Sequence, residues 1–375
     1  MKIAIYQPRA SYYIGGGEIV PLEQAKYFSK LNHHVSLITT RAPFIVESDY
    51  FKRFKKENPK VIIKYINIPE QLKWIYQKKP GSDWERWDLE SLHVGGYARA
   101  FFSSNHFDII AIHNVLDSIA VPSSVASILH LHGFSSEPNY MQELALTIPY
   151  CYVADSQFIR TEWIRMFPWI GNILIVTNGI DSKRFNRAAT ESKKYDVVFV
   201  GRLLSNKGII DVAKAIKILS SSFSIQMAIA GSGPEKKTII QYIKQNHLEK
   251  NIHILGHVSD NKLVSLYQSA KIAILPSSDR EGILTTMLEA SSCGVPVITC
   301  DSSSMSEFIE DKKTGLLVPP KNSKRISEAI ALLLTNEKLR KRISENARKT
   351  IEKKWDWHIK IKLVEKIYEK VVRNY

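Results

Sequence analysis

Ile272-Ala273-Ile274-Leu275-Pro276-Ser277, then Glu281-Gly282-Ile283-Leu284-Thr285-Thr286-Met287-Leu288-Glu289-Ala290, then Gly294-Val295-Pro296-Val297 reads as strand, loop, helix and returning strand. A short β-branched apolar run stopped by Pro-Ser has the pattern of a buried strand, Ile272–Leu275. Leu284–Ser292 then reads as a helix, Gly294 fits its C-cap, and Val297–Thr299 restarts a strand. The loop delivers Glu281 to the helix start, and Gly282 lets the backbone turn tightly. The N–H groups of Ile283 and Leu284 are then expected to point outward from the strand's carboxyl end. Glu289 lies about two turns further on, at ~3.6 residues per turn, and can look inward from the same helix. Each acid alone has a plainer reading: charge complementarity at a helix N-terminus for Glu281, a solvated helix face for Glu289.

Working outward, the same alternation fills the chain. Strands are predicted at Ile3–Tyr6, Val35–Thr39, Val61–Ile66, Ile109–His113, Ser127–Leu131, Tyr152–Ala154 and Ile173–Val176. The pattern restarts at Val197–Val200, Gln226–Ala230, Ile252–Leu255, Ile272–Leu275, Val297–Thr299 and Gly315–Val318. Helical stretches lie between, among them Ile19–Leu31, Ser156–Met166, Ile209–Ser220, Lys236–Asn246 and Asn261–Ser269. Alternation of this kind is α/β with parallel sheets. The polar stretch Asp181–Tyr195 reads as a linker. Two successive doubly wound domains are therefore expected, residues 1–185 and 186–355, with a basic amphipathic helix over 356–375 packing back on the first. Two such Rossmann-like domains are expected to face each other across a cleft, with ligand at the carboxyl ends of the strands.

Composition narrows the chemistry. Lys and Arg number 52 against 37 Asp and Glu, a net charge of +15, which calls for an anionic partner: nucleic acid, an anionic membrane surface or a phosphorylated small molecule. Cys151, Cys293 and Cys300 have no metal spacing and make no disulfide framework, which favours a reducing compartment. No apolar run approaches the ~18 residues of a membrane span. Ile3–Tyr6 runs straight into Pro8 and Arg9, unlike a signal peptide, so a cytoplasmic location is expected. No zinc, RRM or helix-turn-helix signature supports nucleic acid.

Two further segments carry candidates. Gly15-Gly16-Gly17, between the first strand and a helix, fits either a tight turn or a phosphate site, and its spacing is not that of a dinucleotide fingerprint. Arg202 follows the strand Val197–Val200, and Lys207 stands five residues later before the next helix. Two cations at a strand's carboxyl end can neutralise a diphosphate; solvated surface charge is the plainer alternative.

Together these pieces resemble the GT4-type family of retaining GT-B glycosyltransferases. The resemblance is carried by Gly15-Gly16-Gly17-Glu18, His130-Leu131-His132-Gly133, Asn178-Gly179-Ile180-Asp181, Val200-Gly201-Arg202 with Lys207-Gly208, Ala230-Gly231-Ser232-Gly233-Pro234, Glu281 to Glu289, Ser292-Cys293-Gly294-Val295-Pro296-Val297 and Thr314-Gly315-Leu316-Leu317-Val318. They stand in the family's order over nearly the whole chain. The resemblance implies a hexosyltransferase that needs neither metal nor cofactor and takes a UDP- or GDP-linked sugar as donor. It implies that Arg202 and Lys207 hold the diphosphate, and that Glu281, with the backbone of Gly282, Ile283 and Leu284, binds the sugar. It further implies Glu289 on the ribose, the Gly16-Gly17 loop on the phosphate, and His132 beside the sugar near the reaction centre. Where many relatives carry Phe or Pro after Gly282, this chain has Ile283, and Arg280 before Glu281 is unusual.

The acceptor is the open part. Phe51 to Trp87 mixes Lys52, Arg53, Lys55, Lys56, Lys60, Lys64, Lys73, Lys78 and Lys79 with Phe54, Trp74, Tyr76 and Trp84. That mixture fits either a membrane interface with a lipid-linked or glycan acceptor, or a solvated basic face over an aromatic core. Alternatives to transfer are a GT-B epimerase or phosphorylase, or a nucleotide-sugar-binding protein without activity.

Overall fold

The computed structural model describes residues 1–77, 83–133, 139–187, 193–278 and 281–375, with residues 83–85 described in backbone only. The chain divides into two units, Met1–Thr177 with Lys360–Tyr375, and Asn178–Ile359. Every strand pairing within the two sheets is parallel among the described residues.

In the N-terminal unit the strands are β1 (Lys2–Tyr6), β2 (His34–Arg41), β3 (Ile62–Asn67), β4 (Ile109–Ile112), β5 (Ala126–Leu131), β6 (Cys151–Ala154) and β7 (Ile173–Ile175), in the order β3-β2-β1-β4-β5-β6-β7. The chain builds outward from β1 to β3, then crosses back to lay β4 on the other side of β1. Their side chains are buried on both faces of β1 and β4, as parallel strands covered by helices require. The helix Trp357–Asn374 contributes most of its length to this unit, and its buried Tyr368 hydroxyl lies 2.8 Å from His130 Nε2.

The C-terminal unit repeats the plan with β8 (Tyr195–Val200), β9 (Met227–Ala230), β10 (Ile252–Gly256), β11 (Ala270–Leu275), β12 (Val297–Cys300) and β13 (Gly315–Val318), ordered β10-β9-β8-β11-β12-β13. Alternation along β8 sends Val197 and Phe199 into one core and Val198 into the core on the opposite face. The direction of winding reverses between β8 and β11. At such a reversal a doubly wound sheet generally offers a ligand site beyond the carboxyl ends of the two strands.

The basic, aromatic stretch that begins at Phe51 starts inside the helix Asp49–Glu57, capped by the Ser48 side chain accepting from the Phe51 N–H. Phe51 and Phe54, three residues apart, point inward, and Ile75 and Trp87 are also buried. Lys52, Lys56, Lys60 and Lys64 remain exposed, and Trp74 is 44% exposed. Lys78, Lys79 and the Trp84 side chain lie outside the described residues.

Candidate functional site

The reversal point of the C-terminal sheet collects the sequence candidates. Beyond β8 the chain passes Gly201, Arg202 and Leu203, then a short 3-10 turn, Ser205–Lys207. Gly208 closes that turn in the left-handed region at φ +67°, where a Cβ would stand 2.6 Å from the Pro276 carbonyl oxygen. A side chain there would be strained twice over, by backbone conformation and by contact, so glycine lets the two loops touch. The contact is stitched by hydrogen bonds: the Ser278 N–H donates to the Asn206 carbonyl at 2.9 Å, and the hydroxyls of Ser277 and Ser278 reach the same oxygen at 3.3 Å.

Onto this junction the loop after β11 brings Glu281. Its carbonyl oxygen accepts from Ser304 Oγ at 3.0 Å, which ties it to the chain beyond β12. Its carboxylate Oε1 lies 2.7 Å from Lys207 Nζ and accepts from Asn206 Nδ2, also at 2.7 Å. Lys207 and Glu281 side chains are 13% and 22% exposed, so the pair is sheltered yet open to a ligand. Arg202 stands half-buried beside the same strand end. Glu281 precedes the helix rather than beginning it: Gly282, Ile283 and Leu284 intervene, and the helix runs Thr285–Ser292 with Leu284 as a cap that supplies no side-chain hydrogen bond. Arg280, with its neighbour Asp279, lies outside the described residues.

Glu289 is held apart from that cluster. It is 6% exposed, and the buried Tyr267 hydroxyl donates to its Oε2 at 2.8 Å. Burial pushes its carboxyl up to about 7; the Tyr267 hydrogen bond and the Arg184 charge pull the other way without cancelling that penalty. Arg184 is itself ion-paired with Asp260. Sequence alone had no means of assigning Tyr267, which reaches Glu289 from the helix Asp260–Gln268.

The other candidates lie in the N-terminal unit. Gly16 and Gly17 are exposed and open the helix Gly16–Lys30, and Gln7 Nε2 donates to the Gly17 carbonyl at 3.2 Å. His132 follows β5 and joins a parallel stack of imidazoles. Its Nε2 is 2.9 Å from His113 Nδ1, and the His113 ring lies 4.7 Å from that of His130. Burial and the neighbouring imidazoles lower the pKa of His113, and His130 falls to about 3 from the same causes, burial first and then His132. His132 Nδ1 faces Asp155 at 3.8 Å.

A second polar group in this unit went unread in the sequence. Arg9, 1% exposed, ion-pairs with Asp117 and with Glu90 at 3.5 Å. Glu90 also accepts from the hydroxyls of Tyr12 and Tyr76, each at 2.7 Å. Burial works against the Arg9 charge, but Asp117 and Glu90 outweigh it and hold the guanidinium protonated.

Comparison with known proteins follows the same division. Residues 181–350, inside the C-terminal unit, match the model of the family described as glycosyl transferases group 1. The chain is 24% identical to the N-acetyl-alpha-D-glucosaminyl L-malate synthase of Bacillus anthracis, over 96% of this chain and 95% of that protein. It is 28% identical to the capsular polysaccharide biosynthesis glycosyltransferase CapM of Staphylococcus aureus, over 53% of this chain and 54% of CapM. Among solved structures, Anabaena Alr3699/HepE in complex with UDP and glucose matches with a TM-score of 0.77 at 17% identity, covering all of both chains. Staphylococcus aureus TarM, solved with UDP, matches with a TM-score of 0.78 at 14% identity, covering 99% of this chain and 100% of that one. At such identities the likeness speaks to fold: α/β, with two Rossmann-like halves of the GT-B type.

Proposed function

We propose, on the match of residues 181–350 to the model of the group 1 glycosyltransferases, that the chain moves a hexose-type sugar from a UDP- or GDP-linked donor to an acceptor hydroxyl. We take the transfer to be retaining and to need no metal. One observation carries the reading: at the reversal point of the C-terminal sheet, Lys207 and Asn206 from the loop after β8 converge on Glu281 from the loop after β11. This is where a doubly wound sheet offers room for a ligand.

The chemistry follows from charge. Lys207 is ion-paired with Glu281. A donor diphosphate would draw the Lys207 ammonium and the Arg202 guanidinium to its oxygens, where they stabilise the charge that grows as the leaving group departs. Glu281 then turns its acceptor capacity to the hydroxyls of the sugar, which positions the anomeric carbon. Its C1–O bond to phosphate breaks while a C1–O bond to the acceptor forms on the same face. The acceptor's proton passes to the departing phosphate oxygen, so no separate base is needed. Glu289, in its ionised form, accepts from the ribose hydroxyls.

For the acceptor we take a glycan or lipid-linked precursor. Support for contact with an anionic membrane surface is electrostatic: Lys52, Lys56, Lys60 and Lys64 are exposed together around the helix Asp49–Glu57 and β3. Flotation with anionic vesicles at low salt tests it, and protein left wholly in the unbound fraction rejects that surface.

A panel of UDP- and GDP-sugars, scored by release of the free diphosphate with the anomeric product read by NMR, tests the central reading. Donor consumed only in the presence of an acceptor, with the α- or β-configuration preserved, is the expected result. Binding without turnover, or conversion of the sugar without diphosphate release, refutes it.

A further inference from the structure

Within the proposed donor site, the Asn206 side chain touches Glu281. We propose that it is a positioning residue: it fixes the Glu281 carboxylate by donating to Oε1, and so sets the affinity for the sugar half of the donor and not for its diphosphate. This deepens the reading given above and rests on it.

Three observations converge. First, Asn206 and Lys207 both reach Glu281 Oε1, each at 2.7 Å, and every Glu281 side-chain contact among the described residues falls on that oxygen. Among the described residues Oε2 takes no hydrogen bond, and an ionised carboxylate can accept hydroxyl donors at that oxygen too.

Second, the backbone of Asn206 is anchored independently of its side chain. Its carbonyl takes the Ser278 N–H and the Ser277 and Ser278 hydroxyls. The amide is thus presented from a fixed base, and it reaches the acid from the same loop that holds the Gly208 turn against Pro276.

Third, the two donors differ in what a ligand does to them. Lys207 is a mobile point charge that a diphosphate competes for. Asn206 is uncharged, gains little from the diphosphate, and remains on Oε1 when Lys207 leaves it. A carboxylate that loses its ammonium on ligand binding needs a second, neutral restraint to keep its rotamer. Asn206 is the residue placed to provide it, and no ionised group could do so without either competing for the phosphate or repelling the acid.

The test separates the two halves of the donor. UDP and GDP are titrated calorimetrically into the wild type and Asn206→Ala, then the corresponding nucleotide sugars. The expected result is that Asn206→Ala binds the free diphosphate within about twofold of wild type but the sugar nucleotide about tenfold more weakly, with a matching rise in KM. A second variant guards against a fold defect. Asn206→Asp places a carboxyl against Glu281, so the pair holds one shared proton in acid and repels when both ionise. Measured against wild type at the same pH, its affinity for the sugar nucleotide should approach parity near pH 5 and fall away near pH 8, a pH-dependent ratio that a merely damaged fold cannot produce. Equal losses for diphosphate and sugar nucleotide in Asn206→Ala, or no loss for either, overturn the assignment. Failure of the wild type to bind UDP, GDP or any of their sugars overturns the donor-site reading itself, and this inference with it.

Discussion

Lys207 and Glu281 meet at 2.7 Å although each sits on a different loop, one beyond β8 and the other beyond β11. The contact spans the point at which the sheet reverses direction, so it can form only once β8 and β11 are paired side by side. On the proposed reading, the cation and the acid held together there separate when an anionic ligand takes up the cation.

Removing that cation should therefore cost turnover more than stability. Lys207→Ala is expected to lower kcat by about 100-fold or more, the scale of losing one preorganised group that meets charge in the transition state. Diphosphate release gives the rate, and a thermal melt within a few degrees of wild type shows the fold is intact. Turnover within a few-fold of wild type contradicts the role.

If Glu289 holds the donor ribose as proposed, it gives donor binding a pH dependence. Burial holds its carboxyl at about 7, so its ionised form is depleted as pH falls through neutrality. Affinity for UDP or GDP should weaken below about pH 7, by at most tenfold per unit where only the ionised form binds. Stability of the free protein moves the opposite way. The folded state holds a proton that the unfolded state releases near 4.5, so stability declines as pH rises from 4.5 to about 7. Glu289→Gln should flatten both profiles; a binding curve that keeps its slope in this variant assigns the titration elsewhere.

His130 acts in the reverse sense. Buried and neutral, it gains a proton only near pH 3, whereas the unfolded chain takes it up near 6.5. The unfolded state binds more protons across that window, so stability rises with pH through it and is fully present above 6.5. Urea midpoints measured across the window should show a shallower acid limb in His130→Gln than in wild type. His113, lowered for the same reason, preserves part of the dependence.

The Arg9 cluster predicts a large structural effect. Arg9→Met leaves Glu90 and Asp117 buried without their cation, which should destabilise the fold by about 3–5 kcal/mol. Chemical unfolding measures it. A loss under about 1 kcal/mol means the carboxyls are satisfied by their tyrosine and serine donors alone.

What the sequence disclosed, and what it withheld, follows from range. The strands of both sheets announce themselves through local β-branched runs and the turn residues that stop them, as at Ile272–Leu275 before Pro276. The order of those runs implies parallel sheets. The candidate residues on the loops after β8 and β11 were legible because the loops are adjacent to strand ends. Their mutual contact was not, because it depends on which strands pair. Asn206 gave no signal of its own, since its side chain matters only in relation to Glu281. Phe51 and Phe54 did carry a local signal: their three-residue spacing behind Ser48 marks a capped amphipathic helix. The surrounding Lys52 and Lys56 stay on its exposed face. Arg9 is the hardest case, because nothing near it predicts burial; Glu90 and Asp117 come from distant segments.

The helix Trp357–Asn374 has a bearing on biosynthesis. It carries Tyr368 into the N-terminal unit, against His130, after the whole of the C-terminal unit has intervened in the chain. As the ribosome works, the half translated first stays unfinished, and the half translated second can mature ahead of it. A nascent chain arrested short of residue 360 should accordingly expose the β5 face to chaperones, however well its second half has folded.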